Sequence, residues 1–291
     1  MKDRKDILVV DNRNRQYINE SWLDPDVPRL YDWYDEFTDD FEMWRTLCAE
    51  SGDPILDVAC ATGRVAIELA RSGLTVVGLD LSPHMIERAR KKLDSEEEKV
   101  RNRASFVVGD MTDFDLGVQF ATVVVPCFSF HELTTAEAQE ACLRALWRHL
   151  RPGGLLLVTF AVWTPHANTS PPEEPSAWEK PMYEGMNAHT GLYTRQWSLG
   201  WADPDEKLRY HRFYFEEIDD GGRASRRFAI PAPPDWHVRR FPERGDMESL
   251  LEKHGFVMET MRWSCNLYGG WDLKPFDSES RCMIFAARKP R

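Results

Sequence analysis

The residues best suited to chemistry lie in ILDVACATGRVAIELA, which covers residues 55–70. A strand, a turn of small residues and a helix would direct backbone N–H groups toward a ligand, because small side chains permit close approach. Asp57 lies at the start of this turn, and Asp80 follows Gly63 by 17 residues. A carboxylate at the position of Asp80 can accept hydrogen bonds from both ribose hydroxyls of an adenosine. The spacing therefore predicts a nucleoside-binding site.

The turn itself, ACATG, differs from a dinucleotide-binding turn in spacing and in charge. Its third small residue follows the second by two positions instead of three. The carboxylate of Asp57 would repel a pyrophosphate, but it suits a ligand that carries an ammonium and a sulfonium. The turn therefore favours a cationic ligand, and a nicotinamide-dependent dehydrogenase is disfavoured.

The elements around this turn alternate strand-like and helical patterns from about residue 54 to residue 161. The strand-like runs are PILDVA, LTVVGLD, ASFVVGD, FATVVVP and LLLVTF. They are apolar on both faces and lie between helical patterns, which indicates a parallel sheet covered on both sides. With VMETMRWSC and RCMIFAARK as its last two strands, we predict an α/β fold built on a doubly wound, mostly parallel, seven-stranded Rossmann-like sheet.

Capping residues mark several helix ends. Ser82 and Pro83 are typical of an N-cap and a first helical position, and Gly73 is typical of a residue just beyond a helix. Thr134 and Glu137 have the spacing of a capping box ahead of a long amphipathic helix.

The pattern changes after residue 161. PHANTSPPEEPSAWEKP carries five prolines and is typical of a long loop. LYTRQWSLGW, KLRYHRFYFEEI and RASRRFAI, separated by ADPDE and DDGG, predict three antiparallel strands joined by hairpins. We expect this segment to form an antiparallel β lid, inserted after the fifth strand of the main sheet.

Five ordered motifs make residues 55–160 resemble the core of a class I S-adenosylmethionine-dependent methyltransferase. LDVACATGR resembles the first motif of that family, VVGLDLSPHMIERAR the second and VVGDMTDF the third. VVVPCFSFHELTTAEAQEACLRALWRHLRPGGLLLVTF resembles the fourth and fifth. The resemblance implies S-adenosylmethionine as the cofactor, S-adenosylhomocysteine as the product and no metal.

The sequence pattern and the resemblance together predict four regions. Residues 1–50 would form an N-terminal helical cap over the cofactor, and residues 51–162 the cofactor-binding core. Residues 163–243 would form the Pro-rich loop and the β lid, and residues 244–291 a C-terminal helix with the last two strands of the core sheet.

By position, the resemblance assigns roles to individual residues. Asp57 and the turn after it would hold the methionine moiety, Asp80 the ribose, and Asp110 the adenine amino group. The expected cofactor-binding residues are Tyr31, Asp57, Ala59, Cys60, Ala61, Gly63, Arg64, Asp80, Leu81, Met85, Asp110, Met111 and Cys127.

Two alanines depart from the first motif, which usually has glycine at both positions. Ala59 is expected to be a mild change, since the turn can accept a methyl group there. Ala61 is the stronger departure, because glycine permits close approach and a left-handed backbone. A non-catalytic binding protein with a weakened cofactor turn is therefore one alternative function.

Methyl transfer from a sulfonium is an in-line displacement, and a base must remove a proton where the nucleophile carries one. His131, which follows the fourth strand, is the candidate general base, although a packing or capping role is an alternative. Tyr34 is a second catalytic candidate, in an N-terminal helix where Tyr31 and Tyr34 share one face and would serve core packing equally well. Glu132 is interpreted either as a partner of His131 or as a solvated acid.

Aromatic residues in the lid suggest where a substrate binds. Tyr193, Trp197 and Trp201 share one strand face, which would suit a flat molecule or an amine if it covers the crevice, or could be the lid's own core. The expected substrate-binding residues are Phe128, Trp197, Trp201, Tyr214, Trp236, Tyr268 and Trp271.

The overall composition limits the partners. A net charge of −11 repels phosphate backbones, and the short basic clusters, such as Arg239-Arg240, are interpreted as solvated faces, so we expect no nucleic acid partner. No apolar run is long enough to span a membrane or act as a secretory signal, and the six cysteines are scattered. We therefore expect a cytoplasmic protein with free thiols, of undetermined oligomeric state, and without a membrane partner.

These observations predict a methyltransferase that acts on an oxygen or nitrogen atom of a small molecule. The alternative within the same fold is a cyclase or decarboxylase that uses the cofactor without methyl transfer.

Overall fold

The computed structural model describes residues 19–34, 37–164, 167–173, 180–258 and 267–291. The strands in chain order are β1 (Ile55–Val58), β2 (Val76–Asp80), β3 (Ala104–Val108), β4 (Phe120–Val125), β5 (Leu150–Ala161), β6 (Tyr183–Asn187), β7 (Leu192–Asp203), β8 (Leu208–Ile218), β9 (Ala224–Ile230), β10 (His237–Arg240), β11 (Val257–Met258), β12 (Leu267–Tyr268) and β13 (Cys282–Arg288). The α-helices are α1 (Val27–Tyr34), α2 (Phe41–Ser51), α3 (Arg64–Arg71), α4 (Pro83–Asp94), α5 (Glu98–Arg101), α6 (Ala136–His149) and α7 (Arg244–Lys253).

The main sheet has the strand order β11-β13-β5-β4-β1-β2-β3, and all of its pairs are parallel except those made by β13. This confirms the doubly wound, mostly parallel sheet of seven strands. The two-residue strand β12 pairs with β13 in addition. It is not among the predicted strands, because a strand of two residues has no readable periodicity.

Helices cover both faces of this sheet. One core cluster joins β1 and β4 to α2, α3 and α4 through residues such as Ile55, Trp44 and Ile67. The other joins the opposite faces of the same strands to α6 and α7 through residues such as Leu56 and Leu251. Strands β1 and β4 are buried along their whole length, which explains why their sequences are apolar at every position but Asp57 and Thr122.

The predicted caps of α3 and α4 are confirmed, and that of α6 is wrong by one residue. The Ser82 hydroxyl accepts from the Met85 amide at 3.3 Å, and Gly73 beyond α3 has a φ of +98°. In α6 the N-cap is Thr135, whose hydroxyl accepts from the Ala138 amide at 3.2 Å, and not Thr134. Both Thr134 and Thr135 have a side chain suited to an N-cap, so the sequence does not show which of them lies at the start of the helix.

The lid is a five-stranded antiparallel sheet with the order β10-β8-β7-β6, and β9 pairs with β8. The three predicted strands correspond to β7, β8 and β9. Strands β6 and β10 were missed, because YEGMN is poor in β-branched residues and HVRR is short and charged. Strand β8 pairs with β7 along one edge, while its other edge pairs first with β10 and then with β9.

The cap contacts the lid through α1. Arg29 pairs with Glu217 of β8, and Asp26 pairs with Arg226 of β9 at 2.5 Å. The residue limits of the four regions stay predictions, and residues 1–18 of the cap lie outside the described part of the chain. Within the described ranges no helix has both the length and the apolar character needed to cross a membrane.

Candidate functional site

A cavity of about 830 Å³ lies beyond the carboxyl ends of β1, β2 and β4, between the core, the cap and the lid. In a doubly wound sheet this is the edge at which ligands bind. Eleven of the residues expected to bind cofactor or substrate line its wall: Tyr31, Ala59, Ala61, Asp80, Leu81, Met85, Asp110, Met111, Cys127, Phe128 and Trp271.

Asp80, at the end of β2, is fixed by the backbone. Its Oδ2 accepts from the Ala61 amide at 2.8 Å, and its Oδ1 accepts from the Ser82 amide at 2.9 Å. Burial raises the pKa of Asp80 to about 6, although both amides favour the charged form. The carboxylate is therefore held in one orientation at the cavity wall.

The turn between β1 and α3 has a left-handed backbone at both alanines. Ala59 has a φ of +57° and Ala61 a φ of +48°, and both line the cavity. The left-handed region disfavours any residue with a Cβ by roughly 1–2 kcal/mol. The expectation that Ala59 is a mild change is therefore wrong, since its backbone is as constrained as that of Ala61.

Gly63 and Cys60 shape this turn from below and do not line the cavity. A Cβ on Gly63 would lie 2.7 Å from the Phe106 ring, and Gly63 has a φ of +82°. The Cys60 thiol is buried against Gly78, where a Cβ would approach it to 2.8 Å. Both residues therefore support the turn through packing, which is a correction to their expected contact with the cofactor.

Asp57 is completely buried beneath the turn and does not line the cavity. Within the described residues neither of its carboxyl oxygens has a partner at hydrogen-bond geometry. Burial raises the pKa of Asp57 to about 8; the charge of Asp80 adds to this effect and that of Arg64 opposes it. Asp57 is therefore largely protonated at neutral pH in the ligand-free chain and does not form part of the cavity wall, contrary to the direct role expected of it.

Arg64, at the start of α3, ties the cap to the core. Its guanidinium binds both oxygens of Asp40 at 2.6 and 2.9 Å and donates to the Phe37 carbonyl at 2.8 Å. Nη2 also lies 2.8 Å from the Cys127 sulfur. Arg64 therefore stands behind the wall, where it fixes Cys127 and the residues before α2, instead of lining the cavity as expected.

The end of β4 provides a second strained part of the wall. Cys127 and Phe128 have φ values of +54° and +61°. The Phe128 ring lies 5.9 Å from Trp271, which in turn lies 5.8 Å from Phe37. Three separate chain segments therefore contribute one aromatic wall to the cavity, and all three rings line it.

The cavity wall also carries the residues expected at an adenine. The Asp110 Oδ1 accepts from the amide and the hydroxyl of Thr112 at 2.9 and 2.8 Å. These bonds orient the Asp110 carboxyl, and Leu81 and Met111 line the same cavity. The geometry is compatible with a flat base between two apolar side chains.

His131 is buried and does not line the cavity. Its Nε2 accepts from the Ala161 amide at 3.0 Å, so its Nδ1 carries the proton that it donates to the Arg240 carbonyl. Burial lowers the pKa of His131 to about 3. This geometry contradicts the expected role as general base, because both ring nitrogens serve backbone groups.

The face of the lid that meets the cavity is the one opposite to the face that carries Trp197 and Trp201. Phe213 lines the cavity, and its neighbour Tyr214 points away, next to Trp197 across the β7–β8 pair. Trp201 stacks on Tyr210 at 3.9 Å on that outer face. The predicted parity of the aromatic residues is correct, but the expected contact of Trp197, Trp201 and Tyr214 with substrate is wrong.

Three further expected residues also lie away from the cavity wall or outside the described side chains. Trp236 packs under the Arg212 guanidinium, 4.3 Å from its ring centre, on the outer face of the lid. Tyr268 is completely buried in the core of the main sheet. The side chain of Tyr34 lies outside the described residues.

The structure adds a polar group that the sequence did not predict. This group of cavity-lining residues consists of Glu132, Asn19, Trp22 and Arg239. The side chains of Asn19 and Trp22 both donate hydrogen bonds to the Glu132 carboxylate. Arg239 binds the same carboxylate at 2.7 Å, so its interpretation as part of a solvated basic cluster is wrong. No sequence signal connects these residues, since more than 100 positions separate Glu132 from each of them.

Comparison with known proteins supports one family. Residues 55–154 match a family model described as a methyltransferase domain. YqeM of Bacillus subtilis is 35% identical over 127 residues, which cover 43% of this chain and 47% of that protein. The dTDP-3-amino-3,4,6-trideoxy-alpha-D-glucopyranose N,N-dimethyltransferase of Streptomyces venezuelae is 34% identical over 127 residues, which cover 44% and 50%. The chain thus spans about half the length of the curated relatives it matches.

The fold likeness extends over nearly the whole chain. The CcbJ methyltransferase from Streptomyces caelestis superposes with a TM-score of 0.70 at 17% identity, over 95% of this chain and 100% of CcbJ. At this identity the likeness supports a common fold, which includes the cap and the lid as well as the matched domain.

Proposed function

We propose that this chain, whose residues 55–154 match a methyltransferase domain, is a class I S-adenosylmethionine-dependent methyltransferase that transfers a methyl group from that cofactor to a small molecule. The observation that carries the proposal is the Asp80 carboxylate, which two backbone amides orient at the wall of a cavity that Asp110 also lines. Two oriented carboxylates at the carboxyl ends of β2 and β3 suit the ribose and the adenine of one adenosine.

The cofactor's charged end would lie near the turn of Ala59 and Ala61. Burial raises the pKa of Asp57 beneath this turn to about 8, and a cation bound near the turn would favour the charged form of that carboxyl. Cys127 would lie beside the sulfonium, as expected from the family resemblance. When bound, the cofactor supplies an electrophilic methyl group, and the chain's own residues orient it and exclude water.

The character of the cavity favours an amine over a hydroxyl as the acceptor. The described part of its wall carries five carboxylates and only one guanidinium, and this excess of negative charge attracts a cation. The carboxylates are Asp39, Asp40, Asp80, Asp110 and Glu132, and the guanidinium is that of Arg239. The aromatic wall of Phe37, Phe128 and Trp271 adds a surface for cation–π contact. An amine that binds as its ammonium form must lose a proton before its lone pair can attack the methyl group, and the aspartates of the described wall are the candidate acceptors of that proton.

Two relatives are consistent with this choice. The S. venezuelae protein and a Saccharopolyspora spinosa protein, 31% identical over 127 residues, are both named as N,N-dimethyltransferases of amino sugars. An oxygen acceptor is the second candidate, and it would require a base to remove the hydroxyl proton, for which the described wall offers carboxylates and the phenols of Tyr31 and Tyr183.

Calorimetric titration with S-adenosylmethionine and S-adenosylhomocysteine tests the cofactor site. We expect micromolar binding, a loss of about 10- to 100-fold in Asp80→Asn, since bonds to a charged group contribute about 1.5–3 kcal/mol, and no loss in the control Asp94→Asn. Asp94 is exposed at the end of α4, so its substitution changes the net charge equally. An unaltered affinity in Asp80→Asn, or no binding by the wild type, would overturn the proposal.

Release of S-adenosylhomocysteine in the presence of an amine library, compared with the corresponding alcohols, tests the acceptor. Product that forms in equal amount with S-adenosylhomocysteine supports methyl transfer. Consumption of substrate without release would instead support a cyclase or decarboxylase reaction.

A further inference from the structure

Glu132 lies where the cap, the core and the lid meet. It ends the short 3-10 helix Ser129–Glu132 that follows β4, and its side chain is only 14% exposed. From the cap, the Asn19 amide and the Trp22 indole, at 3.1 Å, donate to Oε2. From the lid, Arg239 Nε donates to Oε1 at 2.7 Å, and His237 Nε2 lies 3.0 Å from Oε2. One carboxylate thus joins three parts of the chain.

The cap residues in this group also bind the lid directly. The Asn19 side chain accepts from the Val238 amide at 2.8 Å and donates to the Val238 carbonyl at 2.9 Å, so it pairs with β10 as a strand residue would. The Ser21 hydroxyl lies 3.0 Å from His237 Nδ1. The segment 19–24 is therefore attached to β10 at two places and to Glu132 at two more.

A carboxylate is chemically suited to this position. Four side chains point donors at it, and an amide would place its own N–H groups against some of them. Burial by itself would raise the pKa of Glu132, but His237 and Arg239 hold it well below its usual range. The group is ionised at neutral pH and is a poor proton acceptor, so its part in the reaction is structural positioning.

We propose that Glu132 is a positioning residue that holds the segment 19–24 against β10 and so closes the cavity wall over bound cofactor and acceptor. The inference rests on the proposed function for the identity of the ligands. Asn19, Trp22, Glu132 and Arg239 all line the cavity. A ligand that leaves past this wall must therefore wait until the bonds to Glu132 break.

Two measurements on Glu132→Gln test this role. Hydrogen exchange of the ligand-free chain should be at least about tenfold faster in residues 19–24 and 237–240 and unaltered in β1 and β4. Dissociation of S-adenosylhomocysteine, followed by stopped-flow fluorescence, should be several-fold faster. Glu206→Gln is the matched control, because Glu206 is a lid carboxylate that is 65% exposed, and we expect no change in either measurement.

Each result bears on the proposal. Unaltered exchange in residues 19–24, or exchange that rises equally in β1 and β4, would overturn it, as would an unaltered dissociation rate. If Glu132→Gln does not fold, Trp22→Phe removes one donor to Glu132 from the cap side, and it should change both measurements in the same direction to a smaller extent. If the wild type does not bind S-adenosylhomocysteine, the proposed function fails, while the exchange comparison still tests the attachment of the segment.

Discussion

The Ala61 backbone amide donates to the Asp80 carboxylate over 2.8 Å, while Ala61 itself has a φ of +48°. The hydrogen bond that orients the proposed ribose-binding carboxylate thus depends on a backbone conformation that alanine disfavours. The turn adopts the conformation that this bond needs with alanine in place, and Ala61 itself lines the cavity. The alanine therefore leaves the site formed, at an energetic cost to the fold.

Ala61→Gly should stabilise the protein. Release of the left-handed strain outweighs the greater freedom of glycine in the unfolded chain, and we expect a gain of about 0.5–1 kcal/mol in the free energy of unfolding. Urea denaturation measures this change. The control Ala49→Gly, at an exposed position of α2, should lose about 1 kcal/mol. A loss of stability in both variants would contradict the prediction.

Asp57→Asn should stabilise the ligand-free protein in a pH-dependent way. Because burial raises the pKa of Asp57 to about 8, the native state holds a proton that the unfolded state has lost above about pH 4. Wild-type stability therefore falls as the pH rises from about 4 to 8, and the advantage of the variant grows over that range and then levels off.

Unfolding free energies of Asp57→Asn at pH 5, 7 and 9 provide the check. Asp205→Asn, in an exposed turn of the lid, should follow the wild type at every pH. If the stability advantage of Asp57→Asn over the wild type shrinks as the pH rises, the buried carboxyl is ionised and paired, and the prediction is wrong.

His131→Ala should reduce stability and leave cofactor affinity within about twofold. The substitution removes a buried ring and leaves the Ala161 amide and the Arg240 carbonyl without partners, so we expect a loss of about 3 kcal/mol. Burial lowers the pKa of His131 to about 3, so this stability is present above about pH 6.5 and is lost as the pH falls.

The difference between His131→Ala and wild type should accordingly be larger at pH 7.5 than at pH 5. The control is His84→Ala, at a partly exposed position of α4. Its free energy of unfolding should differ little from that of the wild type at either pH. An unaltered stability in His131→Ala, combined with a lost activity, would restore the general-base interpretation.

Phe213→Ala and Tyr214→Ala should separate the two faces of the lid. Only Phe213 lines the cavity, so Phe213→Ala should raise the KM for an amine acceptor several-fold, and Tyr214→Ala should leave the KM unaltered. Initial rates at saturating S-adenosylmethionine measure both. A rise in KM in Tyr214→Ala with an unaltered KM in Phe213→Ala would show that the aromatic outer face contacts the substrate.

Much of the main sheet was predictable, because its strands are local apolar runs with clear caps between them. Two details were not predictable. The N-cap of α6 is Thr135 and not its neighbour Thr134, and strand β12 has only two residues; neither a shift of one position nor a two-residue strand produces a periodic pattern in the sequence. In the lid, the alternation of Trp197 and Trp201 predicted that they share a face, but it contains no information on which face meets the core.

The sequence by itself determined the sheet, the turn at residues 59–63 and the acids at its edge, since each depends on neighbours a few positions apart. The tertiary structure alone decided which side chains meet across long separations. It moved His131 into backbone hydrogen bonds and brought Asn19, Glu132 and Arg239 together around one cavity. Such contacts arise from the packing of the cap and the lid on the core, and the free energy of that packing is not contained in any short stretch of the chain.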